Sequence, residues 1–389
     1  MAKLGMPSVT ISFIEAGIEA IKRSQRGIVA LILEEPQETI TKLMTDHKDG
    51  KGNSVSAIKN PFTVYTTDDI PSEMTADNQD YITKCLMGYV KSPYRVKVYL
   101  MAAISEKGKN GEADKFADTL KLLATDRWDY LAIPTIATQQ LESVATWLKT
   151  NRENKYKKSK VVLPGYSGDY EGIINFSNTT IKTSSKTYTG AQYTPRIAGL
   201  IAGTPLTISA TYAPLSEVID CDRHTTDEND EKVNKGEFFI WYDGEKFKMS
   251  RAMNSLVTTT QGKLEAYQTI KSVDIMDAIY DDIKKTAQDS YIGKYANDYD
   301  NKQLLISAIM GYFKELEDGR LLQKGYSAVD IDVSAVKNYQ LQHGLYTQDE
   351  LADMSDLELK KLDTKKLVYL TAKIKILDAM EDIVLPINI

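Results

Sequence analysis

Gly165-Tyr-Ser-Gly-Asp169 is the nearest approach in this chain to a catalytic device. A serine two residues after a glycine, on a tight turn leaving a strand, is the pattern of a nucleophile elbow, and it would make Ser167 the attacking group in acyl transfer. Asp169 stands where the pattern needs its last glycine and would crowd the turn, so the stretch reads better as a loop. A serine nucleophile also needs a base. The three histidines offer little: His47 and His224 fall in hydrophilic stretches, and His343 precedes Gly344 near an expected helix end. Gly50-Lys51-Gly52 has Thr45 where a phosphate loop requires glycine, and no G-x-G-x-x-G string is present. A calcium-loop register begun at Asp227 meets Lys232 at the position that must be glycine, which leaves Asp220 to Glu231 as a solvated charged loop. Cys85 and Cys221 lack metal-ligand spacing and read as buried free thiols. The expectation is a chain that is not an enzyme, with no catalytic, cofactor-binding or metal residues and no cofactor. An α/β hydrolase-like enzyme acting through Ser167 is the rival.

The bulk numbers agree with a binding or assembly role. With 389 residues, two or three domains are the natural expectation. Lys plus Arg less Asp plus Glu is 48 − 54 = −6, without a long basic run, which argues against direct nucleic-acid binding. The 23 tyrosines are scattered and make no stacking stripe for bases. No apolar run is long enough for membrane insertion. The start, MAKLGMPSVTISF, has no secretion signal, so a cytoplasm is the expected place of folding.

The elements follow from apolar spacing. Ile28 to Leu33 is apolar without alternation, as in a strand covered on both faces. Strand-like and helix-like stretches then alternate to about residue 205: FTVYTT, YRVKVYLMAA, WDYLAIP and KVVLPG are strands, and the segments between them have helical spacing. Each parallel crossover needs a covering helix, so this is an α/β domain with a mostly parallel sheet over residues 25–205. An α+β domain over 206–377 follows. It contains a hairpin about Asp243-Gly244, then two helices, the first with Ile270, Val273, Met276, Ile279, Tyr280 and Ile283 along one face. The second helix should stop at Gly319, and 330–363 reads as short helices and turns.

Both ends carry strand patterns. In the N-terminal arm, residues 1–24, Val9, Ile11 and Phe13 alternate with polar residues. Near the other end Val368, Leu370, Ala372, Ile374 and Ile376 alternate with Tyr369, Thr371, Lys373 and Lys375. After a charged break, the C-terminal arm at 378–389 ends in a second apolar run, Ile383 to Ile389. Periodicity alone leaves two readings open for the N-terminal strand: folding back on its own domain, or adding to the open sheet edge of another molecule.

Four segments in order resemble the contractile tail sheath proteins of bacteriophages and of phage-tail-like bacteriocins. They are RIAGLIAGTPLTISATYAPLSEV (196–218), SRAMNSLVTTTQGK (250–263), the two helices joined through Tyr291, Gly293, Lys294 and Asn297, and AKIKILDAMEDIVLPINI at the end. MPSVTISFIEAG and RSQRGIVALI are similar to that family's arm and first core strand.

The resemblance implies a structural protein of a phage tail or bacteriocin particle, assembled in the bacterial host cytoplasm. Its α/β domain would have a subtilisin-like layout without an active site. Its partners would be itself, in stacked hexameric rings, together with the tail tube, baseplate and tail-terminator proteins. Val9, Ile11 and Phe13 of one arm and Ile383, Leu385, Ile387 and Ile389 of the other would then be donated strands. The receiving sheet would carry Val368, Leu370, Ile374 and Ile376. Contraction would start from a trapped extended state and drive the tube through a cell envelope. A secretion-system sheath subunit is a further alternative sharing the same physics.

Overall fold

The computed structural model describes residues 20–48, 54–103 and 115–388. By contact they form two units: residues 24–281 with the segment from Ile376 onward, and residues 282–375 with the N-terminal segment up to Arg23.

The larger unit begins with β1 (Ile28–Glu35), α1 (Gln37–Leu43), the paired β2 (His47–Lys48) and β3 (Ser54–Val55), β4 (Phe62–Val64), α2 (Ala76–Leu86) and β5 (Arg95–Ala102). It continues through α3 (Ala117–Leu123), β6 (Tyr130–Ala132), α4 (Thr138–Asn154), β7 (Lys160–Pro164), β8 (Ile173–Phe176), β9 (Thr180–Thr183) and β10 (Thr187–Thr189). Then come α5 (Gly190–Ala202), β11 (Val218–Cys221), α6 (Thr226–Asn234), β12 (Glu237–Phe238), β13 (Ile240–Tyr242) and β14 (Phe247–Met249). Among the described residues a seven-stranded sheet has the order β12-β8-β7-β6-β1-β5-β4. Neighbours are parallel except β4, which closes one edge antiparallel to β5.

The unbroken apolar run of β1 is explained by its two covered faces. Val29, Leu31 and Leu33 join a core with Tyr81, Ile82 and Cys85 of α2 and Ile197, Leu200 and Ile201 of α5. Ile28, Ala30 and Ile32 join a second core with Leu120 and Leu123 of α3 and Leu141, Val144 and Leu148 of α4. Close approach on the first face needs glycine: a Cβ on Gly199 of α5 would lie 1.9 Å from the Cys85 carbonyl oxygen. Pro195 inside α5 has no N–H for the Ala191 carbonyl, which instead accepts from the Thr194 hydroxyl at 2.7 Å.

Three expectations change. The α/β body does not end near 205. β12 extends its sheet, and the Asn178 side chain holds the β13 backbone, accepting from the Ile240 N–H at 2.6 Å and donating to its carbonyl at 3.1 Å. The charged stretch after Cys221 is not all loop, because Thr225 and Glu228 form a capping box that starts α6. His47 lies in a short strand pair, where its backbone faces Val55.

Helix α7 (Ile270–Thr286) differs from its expected amphipathic form. Ile270, Val273 and Ile279 are buried, but so are the polar Ser272 and Asp277. The polar side is largely covered because the carboxylates of α7 meet charges near the N-terminal ends of the parallel strands. Asp277 accepts both Arg152 guanidinium nitrogens at 3.1 Å and Lys160 Nζ at 2.6 Å. Lys160, the first residue of β7, also reaches Asp274 at 2.8 Å, and the Tyr130 hydroxyl of β6 donates to Asp274 at 2.6 Å. Arg26, just before β1, lies 3.4 Å from Asp281. Asp129 accepts from the Gly27 and Ile28 N–H groups at 2.7 and 2.9 Å.

The smaller unit contains the end of α7, then α8 (Tyr299–Asp318), β15 (Ala328–Ile331), α9 (Val333–Gln342), α10 (Gln348–Ala352), α11 (Asp356–Lys361) and β16 (Leu370–Lys373). α8 stops before Gly319, as its spacing implies, and α9 ends just before His343.

Burial opposes ionisation of Asp277, yet Lys160 and Arg152 together hold its carboxyl below the ordinary range. A depressed folded-state pKa gives stability that is complete above about pH 4 and lost as pH falls through the folded value. Asp277→Ala leaves two buried cations without this carboxylate. It should cost about 3–5 kcal/mol in chemical denaturation at pH 7. The deficit relative to wild type should shrink as the pH is lowered below about 4. A loss under about 1 kcal/mol would show that the network contributes little to the fold.

Candidate functional site

The residues that suggested chemistry do not converge. The Ser167 hydroxyl accepts only a long contact, 3.3 Å, from the Asn175 amide nitrogen. Asp169 adopts the left-handed conformation itself, at φ 44°, and its carboxylate accepts from the Val257 and Thr258 N–H groups at 2.8 and 2.9 Å. That is loop fastening, and it accounts for an aspartate at this position. His224 is exposed with its ring edge-on to Phe239, while His343 stacks on Tyr339 at 4.0 Å between centroids. Cys85 and Cys221 are free and buried, and burial pushes both thiols up, Cys221 to about 12. Among the described residues, no group of three or more His, Cys, Asp or Glu side chains is placed to hold a metal ion. No described helix is long and apolar enough to cross a membrane.

Two features bear on the sequence-predicted strand patterns near the chain ends. The first is a two-stranded antiparallel sheet in the smaller unit, β15 with β16, registering Ala328 with Lys373 and Ile331 with Leu370. No third strand joins it among the described residues. A pair this small depends on what it covers. Ile331 packs with Ile306 of α8 and Val336 of α9, and Tyr369 and Leu370 lie against them. The connection between the long helices holds the approach to β16, since the Asn297 amide donates to the Lys365 and Leu367 carbonyls at 2.7 and 3.0 Å. The ladder is shorter than the alternating pattern from Val368 to Ile376. Only Leu370 to Lys373 pair with β15, leaving Val368, Ile374 and Ile376 outside it. β15 has four residues and turns into α9; flanking the ladder, the Asp332 N–H donates to the Tyr369 carbonyl at 3.1 Å and the Gln323 N–H to the Lys375 carbonyl at 2.8 Å.

The second feature is the C-terminal segment. Its root is fastened to the larger unit through polar atoms. Lys271 Nζ donates to the Leu377 carbonyl at 2.8 Å and the Ser272 hydroxyl to Asp378 at 3.1 Å. Glu381 accepts from the Thr211 hydroxyl at 2.6 Å and lies 3.5 Å from Arg251 Nε, while Arg251 also pairs with Asp382. Burial pushes the Lys271 ammonium pKa down, with Asp378 and Glu381 opposing. Beyond the root the side chains have nothing over them: Ile383 is 84% exposed, Val384 92%, Leu385 74% and Ile387 76%. Residues 383–388 form no strand within this chain. Val9, Ile11 and Phe13, and Ile389, lie outside the described residues.

Arg251, Thr211 and Lys271 were not singled out from sequence as holders of this segment. They lie 106 to 170 positions from their partners, and no local pattern connects them. Arg251 did fall within SRAMNSLVTTTQGK, one of the segments that carry the resemblance, but its role was not visible there.

Comparison with known proteins places the chain in a family. The family model of the phage tail sheath protein central domain matches residues 108–255, and that of the phage tail sheath C-terminal domain matches 263–389. The chain is 32% identical over 381 residues to the tail sheath protein of the Clostridium phage phiCD119, spanning 97% of this chain and 98% of that one. This chain belongs to the phage tail sheath protein family. The fold agrees. The sheath complex of an extracellular contractile injection system (PVC) in its contracted state has a TM-score of 0.64 at 11% identity, covering 100% of this chain and 98% of that one. The anti-feeding prophage baseplate, solved with sixfold symmetrisation, includes a chain with a TM-score of 0.61 at 13% identity and 99% coverage of both. The sheath protein is thus a structural subunit of contractile tails and tail-like particles, not an enzyme.

The β15–β16 pair depends on its apolar support. Ile331→Ala should lower the stability of the sheath protein by about 2–5 kcal/mol in chemical denaturation. An unchanged midpoint would show that β15 and β16 stand without packing on α8 and α9.

Proposed function

We propose that this sheath subunit polymerises as stacked hexameric rings around a tail tube, each copy donating its ends as strands to the β15–β16 sheets of adjacent copies. The observation that carries the reading is the contrast within the last dozen residues. The root at 377–382 is tied down by polar contacts, and the apolar, uncharged run beyond it has nothing over it. Full burial of an aliphatic side chain contributes about 1.5–3 kcal/mol, and a strand buries one face well. A two-stranded sheet offers open edges whose N–H and C=O groups are unpaired by secondary structure. Strand addition satisfies both deficits together.

Pairing by alternating residues also fixes register, since a one-residue slip would turn Ile383, Leu385 and Ile387 away from the receiving surface. Pro386 cannot donate to a ladder and fits on the outer side of an edge strand. On the N-terminal side, Val9, Ile11 and Phe13 have the same period and are assigned the same role. The receiving surface is formed about Val368, Leu370, Ile374 and Ile376, with Leu370 at its packed centre.

Connectivity of this kind lets subunits rotate while remaining joined. Contraction then exchanges one set of subunit faces for another of lower free energy, a two-state change of packed elements. Exposed ion pairs suit such faces because each contributes only about 0–1 kcal/mol and is readily exchanged. The tube, baseplate and terminator proteins are the remaining partners, and assembly takes place in the host cytoplasm.

Ile387→Asp places a charge on the donated run at a side chain that is 76% exposed in the subunit. Its thermal midpoint should match wild type, while electron microscopy should show few or no long striated cylinders. Removing residues 1–16 should have the same double outcome. Cylinders of normal length from either variant would overturn strand donation by that end, and unfolding of the isolated Ile387→Asp subunit would make the last strand internal.

A further inference from the structure

Resting on the strand-donation reading, we propose that Arg251 is a positioning residue for the C-terminal arm. It acts as a salt-sensitive latch on Glu381 and Asp382 that sets the direction in which Ile383 to Ile389 leaves the subunit. Three separated stretches of the larger unit converge on the root. Thr211 and Arg251 hold Glu381 and Asp382, while Lys271 and Ser272 hold Leu377 and Asp378. The Thr211 hydroxyl is itself oriented by accepting from the Ala252 N–H at 2.9 Å, next to Arg251 in the chain. The Lys271–Ser272 pair grips the arm where it joins the unit. Arg251 grips the last charged residue before the apolar run, so it lies at the pivot.

Geometry gives the pivot its leverage. Six extended residues reach about 20 Å. A 30° change of direction at Asp382 therefore moves the tip by about 10 Å, twice the roughly 4.8 Å spacing between paired strands. An arm free to swing presents its strand to the acceptor edge for a smaller fraction of the time, which lowers its effective concentration there. The strength of the latch suits a part that must also let go. Arg251 is 38% exposed and Asp382 74%, so the pair lies in the range of weak, screened surface interactions. Glu381, at 19%, is better shielded and is shared with Thr211. A subunit that rotates during contraction can break these contacts without disturbing the buried charges beneath the sheet.

The test measures the protein concentration at which full-length subunits begin to form cylinders, by light scattering and electron microscopy. Arg251→Ala and Asp382→Asn should each raise it about fivefold, equivalent to about 1 kcal/mol, with thermal midpoints unchanged. Arg251→Lys should recover part of the loss, and the reversal Arg251→Asp with Asp382→Arg should recover more than either reversed residue alone. The wild-type threshold should rise with added salt, and that of Arg251→Ala should rise less. Deletion of residues 383–389 separates the two ideas. If the deletion polymerises like wild type, strand donation itself fails. If it abolishes cylinders while Arg251→Ala and Asp382→Asn assemble at the wild-type threshold, the latch is wrong and donation stands. Should Arg251→Ala fail to fold, the exposed Asp382→Asn decides alone.

Discussion

Backbone groups that find no partner within the molecule are the constraint on which the sheath protein depends. Inside the larger unit the central strands of a mostly parallel sheet meet it, with both faces of β1 covered. At the β15–β16 pair and along the last residues it is not met, and the apolar side chains there make the deficit costly in water. Other copies of the same chain can remove that cost. On the proposed reading, a subunit with one large, well-covered sheet and one two-stranded sheet is both stable by itself and disposed to polymerise.

Buried charges at the N-terminal ends of the sheet's strands hold α7 in place. Asp277 between Lys160 and Arg152 is a poor arrangement for raw stability compared with an apolar plug of equal volume, yet it is intolerant of partial disruption. It fixes α7 against the starts of several strands through directional contacts that permit one register. The polar contacts that hold the arm root begin in the same helix, at Lys271 and Ser272, one to two turns before Asp277. The same helix thus holds both the starts of the strands and the root of the arm, through polar side chains that are themselves buried.

Much of this architecture was legible in the chain, and the illegible parts share a cause. The doubly covered β1, the alternation of strands and helices, the Asp243-Gly244 hairpin and the two long helices were all set by local spacing. Local spacing misjudged α7, because Asp274, Asp277 and Asp281 look like an ordinary wet face until Lys160, Arg152 and Arg26 arrive from distant positions. It also placed a boundary near 205, since nothing nearby shows that Asn178 will hold Ile240. The terminal alternation was read as a strand from Val368 to Ile376, but β15 supplies partners for only four residues. No catalytic or metal centre was expected, and the chain's place among tail sheath proteins came from four ordered segments. The physical role of some of their residues, such as Gly199 against Cys85 and Asn297 against Lys365, emerged only in three dimensions.

Amide hydrogen exchange, compared between unassembled subunits and cylinders, tests the shared-sheet claim most directly. Amides of residues 383–388, except Pro386, should exchange at nearly open-chain rates in the subunit and become strongly protected on assembly, as should those on the outer edges of β15 and β16. Equal exchange of these amides in both states, with cylinders intact, would contradict it.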